Sequence, residues 1–414
     1  MRLMDRATYR LPKRLLKAAY SCAVRSLYLP PNVSKLPVGE GNGILVIRTD
    51  GLGDLVLALP SLRHLRESFG SRRITLVTRQ EWVDLMQRCP YVDEVIGWDI
   101  RKYAWNIFYR LRFVRELRKR VYEAIVHSPY SREPLSDELL RCGLAANKIG
   151  FDGDLNNISP QEKARNDSHY TKLIELSVNG AAEIDRNREF TERVVGKRIT
   201  SADFQPKIWL AESDRREAWD LMCEAGLDPK RDLIVALFPG ASWDGKSWPA
   251  GRYAELADRI IRQYGAKVVI CGAPTDAIAA LEVQSDMKGS AVNLAGKTRL
   301  PALAALFEAC ALYIGNDTGP LHLAVSVGTA TLGIVGGGHF GRFYPYGDLN
   351  RQRVVFREME CYQCNWKCIH DSIRCIQEVT VDDVWMATTR IMDEVVVPQR
   401  VSGLQIQNGA TLPR

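Results

Sequence analysis

No apolar run in this 414-residue sequence approaches the roughly 20 residues that a helix needs to cross a bilayer. The basic N-terminus also lacks a continuous apolar stretch, because LLKAAYSCAVRSL (15–27) is interrupted by Lys17 and Arg25. That argues against a cleaved signal peptide and predicts a cytoplasmic protein. Nor is there a paired spacing for six of the ten cysteines: Cys22, Cys89, Cys142, Cys223, Cys271 and Cys310 are scattered singly, as reduced thiols usually are. With 46% apolar and 25% charged residues, the composition excludes a disordered chain or a disulfide scaffold. The length exceeds the roughly 250 to 300 residues that one core usually holds, which predicts two domains.

Positive charge is unevenly spread. Residues 1–40 carry eight Lys/Arg against Asp5 and Glu40, so they hold +6 of the net +7. This extension reads as a basic amphipathic helix ending at Leu29-Pro30-Pro31, with a glycine-bearing linker after it. From Gly43 onward, short apolar runs alternate with helical stretches. Strands are expected at 44–49, 74–78, 93–98 and 123–128, and again at 233–240, 267–272, 291–296, 311–317 and 329–336. Such alternation predicts α/β architecture with parallel, helix-covered sheets. The polar segment 153–200 reads as the connection, with one helix around 170–179. The expected domains are thus 1–40, 41–200, 201–396, and a frayed tail at 397–414.

Three turns carry the chemistry. RTDGLGDLVLALPSL (48–62) lies where a strand becomes a helix; Gly51 and Gly53 suggest a tight positive-φ turn, with Asp54 at the helix start either pointing into a cleft or serving as a simple cap. The third glycine of a dinucleotide fingerprint is missing there, and Pro60 suggests a kink. LFPGASWDGKSWP (237–249) offers Gly240, Ala241 and Ser242 to an anion, with Lys246 as point charge; the bland alternative is a surface turn. IGNDTGPLHLAVSVG (314–328) begins a helix at Thr318-Gly319-Pro320, whose outward N–H groups and dipole suit a pyrophosphate. Asp317 and His322 flank it.

In this order, about 190 and 70 residues apart, the three turns resemble glycosyltransferase family 9, the bacterial heptosyltransferases. The resemblance runs from about Ile44 to Val384. It implies a GT-B fold, two Rossmann-like doubly wound domains facing a central cleft, and inverting transfer that needs no metal. It also implies a nucleotide-diphosphate donor such as ADP-heptose, and a lipopolysaccharide-core or related glycan acceptor. Asp54 matches the family's catalytic carboxylate, Lys246 its phosphate-binding lysine, and Asp317-Thr318-Gly319 its donor-binding turn. Asp276 falls near an acidic ribose contact.

Two features depart from a minimal member. The basic extension would allow peripheral contact with the inner face of a membrane through residues 1–30. Cys361, Cys364, Cys368 and Cys375 follow C-x2-C-x3-C-x6-C, short enough to close on one structural zinc or iron; similar clusters occur in family relatives that glycosylate autotransporters. A further basic helix is expected at 101–120, where eight Lys/Arg face one Glu, and it suits an anionic glycolipid. Protein O-heptosylation, a silent nucleotide-sugar scaffold and, at the level of fold, an NAD-dependent oxidoreductase are the competing readings. No nucleic-acid partner is expected, and oligomer formation stays open.

Overall fold

The computed structural model describes residues 43–177 and 182–399. The expected N-terminal helix and nearly all of the expected tail lie outside the described residues. The chain forms two compact units. The first comprises residues 43–49, Ser71–Gln80 and Asp93–Glu175; the second comprises Asp50–Gly70, Glu81–Val92 and residues 176–399.

The first unit is built on β1 (Ile44–Ile47), β2 (Ile74–Arg79), β3 (Glu94–Trp98), β4 (Val121–His127), β5 (Leu144–Phe151) and β6 (Lys172–Ile174). All pair in parallel, in the order β3-β2-β1-β4-β5-β6. The second unit holds β7 (Ile234–Phe238), β8 (Lys267–Ile270), β9 (Ala291–Asn293), β10 (Leu312–Asn316), β11 (Ala330–Ile334) and β12 (Gln352–Val355). These are also parallel, in the order β12-β11-β10-β7-β8-β9. Every residue of β7, β10 and β11 is buried, because helices cover both faces of such a sheet and leave no polar side. Their core includes Val235, Leu237, Leu312, Ile314, Leu332 and Ile334.

Among the helices are α1 (Leu52–Phe69), α2 (Ile100–Trp105), α3 (Ile107–Leu117), α4 (Pro134–Cys142), α5 (Pro160–Asp167), α6 (Glu183–Val195), α7 (Ala250–Tyr264), α8 (Gly319–Ser326) and α9 (Arg374–Gln377). Three expectations need correction. The helix expected around 170–179 is replaced by β6, whose Leu173 sits beside Gly150 of β5, and the neighbouring helices are α5 and α6. The basic helix expected at 101–120 is two helices, because Asn106 adopts an extended conformation (φ −116°, ψ 105°). Its Oδ1 accepts from the Tyr109 N–H at 3.0 Å, so the side chain caps α3 while the backbone ends α2. Finally, α1 runs uninterrupted through Pro60; burial of Leu55, Val56, Leu59 and Leu62 holds a helix that forgoes one hydrogen bond.

Candidate functional site

In the second sheet, strand order reverses between β7 and β10, which lie side by side with Gly315 next to Phe238. Ligands of open α/β sheets gather beyond the carboxyl ends of strands at such a switch point. The turns leaving β7 and β10 are therefore the place to look, and Asn316, the last residue of β10, joins them. Its Nδ2 donates to the carbonyl oxygens of Pro239 at 2.9 Å and Gly240 at 3.3 Å. Its Oδ1 accepts from the Trp248 N–H at 3.0 Å and the Tyr253 hydroxyl at 3.1 Å. The buried amide thereby uses its full hydrogen-bonding capacity.

The amide N–H groups of Gly240, Ala241 and Ser242 donate to no acceptor among the described residues, and neither do those of Thr318 and Gly319. Thr318 is the N-cap of α8, with extended backbone (φ −144°, ψ 172°) and Pro320 in the first turn. Unspent donors at a helix start are an anion-binding arrangement. A Cβ at Gly240 would lie 2.3 Å from the Cγ of Asp276, so a side chain there would displace that carboxyl group. Asp276 itself accepts from the Ala273 N–H at 2.8 Å, while burial pushes its carboxyl upward against that hydrogen bond.

Asp54 sits in the first turn of α1, and the N-cap is Gly51. The simple-cap reading therefore gives way to a first-turn carboxylate. Gly51 has φ −65° and Gly53 lies within the helix, so the expected positive-φ turn is not formed. Gly53 is needed for a different reason. A Cβ there would come within 2.6 Å of the Cδ2 of His322, and a Cβ on Gly319 within 2.7 Å of the Cβ of Leu52. The starts of α1 and α8 are packed to glycine distance.

The second unit brings Asp54, Lys246 and Asp317 into one electrostatic cluster. Burial raises the Asp317 carboxyl to about 6; Lys246 opposes the shift and Asp54 adds to it. Burial lowers Lys246, while Asp317 and then Asp54 pull it back up. His322 is buried, and burial lowers its imidazole to about 3, so it is neutral near pH 7. Its Nδ1 lies 3.0 Å from the Tyr346 hydroxyl, the two rings stack at 5.5 Å, and its Nε2 is 3.8 Å from Asp317. A neutral imidazole so placed orients neighbours without adding charge.

Asn316, Tyr346 and Trp366 were not indicated by the sequence reading. Trp366 belongs to the cysteine-rich loop, yet the Lys246 Nζ stands 4.9 Å from its ring centroid. Trp243 meets the same indole edge-on at 5.6 Å. The only signal in the sequence is a tryptophan inside a motif that points to metal.

Among the described residues, no three His, Cys, Asp or Glu side chains come together as a set able to hold a metal ion. Cys361, Cys364, Cys368 and Cys375 share a neighbourhood, since burial raises the Cys375 thiol and the other three add to the shift. The loop that carries them is seated by further contacts. Gln363 and Asn365 N–H groups donate to the carbonyls of Gly337 and Gly338 at 2.8 and 3.0 Å, and Tyr362 stacks on Phe340 at 4.6 Å. Cys375 is buried on α9, and the Cys368 thiol turns to the Ser372 carbonyl at 3.4 Å. Gln363, Asn365 and Trp366 have φ of 62°, 50° and 60°, a left-handed run that non-glycine residues adopt only when neighbours hold it.

The sequence and the fold are shared with known proteins. The sequence pattern of glycosyltransferase family 9 (heptosyltransferase) matches residues 110–371. Lipopolysaccharide heptosyltransferase 2 of Salmonella typhimurium is 25% identical over 300 residues, covering 71% of this chain and 82% of that protein. The family 9 glycosyl transferase of Veillonella parvula superposes with a TM-score of 0.73 at 24% identity, over 85% of this chain and 98% of that one. E. coli heptosyltransferase WaaC with ADP-2-deoxy-2-fluoro heptose gives 0.61 at 18% identity, over 84% and 99%. No described helix is long and apolar enough to cross a membrane. With two parallel six-stranded α/β sheets in the GT-B fold, the chain belongs to glycosyltransferase family 9 and is a glycosyltransferase of the heptosyltransferase type.

Proposed function

We propose that the protein transfers a heptose from ADP-heptose to a lipopolysaccharide-core acceptor, with inversion and without a metal in the chemical step. The donor reading is supported by the ADP-heptose analogue named for WaaC, and the acceptor reading by the heptosyltransferase 2 relative. The observation that carries the mechanism is the grouping of Asp54, Lys246 and Asp317 beside unspent backbone donors. In this reading residues 201–396 are the nucleotide-sugar side.

An acceptor hydroxyl attacks the anomeric carbon while the bond from that carbon to the diphosphate oxygen breaks on the opposite face. Asp54 takes the hydroxyl proton as general base. Lys246 and the N–H groups of Gly240, Ala241, Ser242, Thr318 and Gly319 stabilise the charge on the departing diphosphate, as preorganised donors do. Asp317 attracts Lys246 electrostatically, neutral His322 stands 3.8 Å from Asp317, and Asp276 stands beside Gly240 on the ribose side. Asp54→Asn should keep donor affinity within about a few-fold while turnover falls by roughly 10² or more. Near-wild-type turnover in that variant would remove Asp54 from the chemistry.

A further inference from the structure

In the first unit, α2 and α3 present two chemically opposite faces. The inner face puts Tyr103, Phe113, Val114 and Leu117 into a core with Trp98. Arg110, on the same face, is neutralised there: its guanidinium donates to both oxygens of buried Glu138, which also accepts from the Tyr103 hydroxyl at 2.9 Å.

The outer face combines large apolar side chains with cations. Phe108 is 80% exposed and Leu111 37%, and Trp105 just before α3 is 68% exposed. Phe108, Leu111, Arg112 and Arg115 have i, i+3, i+4, i+7 spacing and so share one side of α3. Arg101, Lys102 and Lys119 are exposed as well. Two carboxylates in this stretch are already engaged, Asp99 with Lys102 at 3.0 Å and Glu116 with Lys119 at 2.5 Å. Among the described residues, none forms an ion pair with Arg101, Arg112 or Arg115.

We infer that this outer face of α2 and α3 seats on an anionic phospholipid bilayer surface, with Phe108 and Leu111 entering the headgroup boundary and Arg101, Arg112 and Arg115 meeting lipid phosphates. Apolar residues flanked by basic ones on one helix side are what an interfacial helix needs, and basic residues near an anionic leaflet add attraction. A second copy is disfavoured as occupant, because self-pairing would set Arg112 and Arg115 against like charge.

Co-sedimentation of the full chain with vesicles tests this, using phosphatidylcholine and phosphatidylglycerol in equal parts and phosphatidylcholine alone. Wild type should pellet with the anionic vesicles and be released by high salt. Arg112→Glu with Arg115→Glu, and separately Phe108→Ser with Leu111→Ser, should each weaken binding by about tenfold or more. Thermal unfolding should stay as in wild type. The inference is overturned if both double variants bind as wild type does, if wild type binds neither vesicle, or if the variants instead abolish a dimer seen by analytical ultracentrifugation.

Discussion

Replacing Gly53 by alanine offers the sharpest reading of how tightly the site is assembled. Its backbone is helical, so the change brings no dihedral strain and would gain up to about 1 kcal/mol of helix propensity. The new methyl, however, would stand 2.6 Å from His322 Cδ2 and 3.0 Å from Nε2, where ordinary contact begins at 3.4 Å. Something must move by about 0.8 Å. The imidazole is poorly free to do so, being stacked on Tyr346 and bonded to its hydroxyl, with Asp317 at 3.8 Å. If the ring yields, Asp317 is disturbed; if the start of α1 yields, Asp54 moves with it. Overpacking of this kind costs about 1–3 kcal/mol, so the melting temperature should fall by only a few degrees. A displacement near 1 Å in a reacting group can cost about 10² in rate, so turnover should fall far more than stability. The assay is nucleoside diphosphate release during transfer, run beside thermal unfolding. Gly251→Ala in α7 is the control, since its added methyl meets only Asp286 at 3.4 Å. In a His322→Ala background the Gly53 substitution should cost little more, because the obstacle is gone. Full activity of Gly53→Ala in the wild-type background would refute the account.

Three further outcomes follow from the same geometry. Lys246→Ala should weaken ADP binding by about 1.5–3 kcal/mol by calorimetry, and Trp366→Ala by a smaller amount through loss of the indole against Lys246; equal affinities in all three proteins would place the phosphates elsewhere. The Asp317 carboxyl, at about 6 in the folded protein, lies above its usual value of about 3.9. It therefore contributes stability at low pH that is lost as pH rises from about 4 through about 6, so Asp317→Asn should gain stability relative to wild type between about pH 5 and pH 8, by about 1.4 kcal/mol. Chemical denaturation at the two pH values measures this, and a relative loss at the higher pH reverses the sign. Because backbone bonds and aromatic stacking seat the cysteine loop, Cys364→Ser should shift the melting temperature by no more than about 2 °C; a larger drop with release of zinc or iron would show the thiols closing on an ion.

Much of the fold was legible because buried parallel strands read as unbroken apolar runs. This held fully for β1, β7, β10 and β11, while β2, β3, β4, β8 and β9 were marked by shorter or interrupted apolar runs. It failed at β5, where Asn147 and Lys148 interrupt LAANKIGF; Lys148 is nonetheless buried, its Nζ donating to the Arg141 carbonyl at 3.3 Å, and burial lowers it to about 8. It failed too at β6 and β12, edge strands of three and four residues, too short to show a period. In the site, Asp54, Lys246 and Asp317 stand out because each marks a glycine-bearing turn after a strand. Asn316, Tyr346 and Trp366 act through partners distant in sequence, and local spacing carries no trace of those. The glycines at 51 and 53 were legible as important and misread in cause: a close neighbour, not a turn, excludes a side chain at Gly53.

Asn316 has a consequence for how such a site can change. Its amide couples the turn after β7 to the end of β10 and to the segment leading into α7, leaving no capacity in reserve. These pieces form one rigid floor, and a substitution that retunes one turn is transmitted to the other. The rim is different: Ser242, Trp243 and Asp244 are exposed and enter none of the Asn316 bonds. If the proposed donor site is right, accommodation of a different sugar or nucleotide is easiest at those three positions, where side chains can be exchanged while the backbone turns below keep their shape.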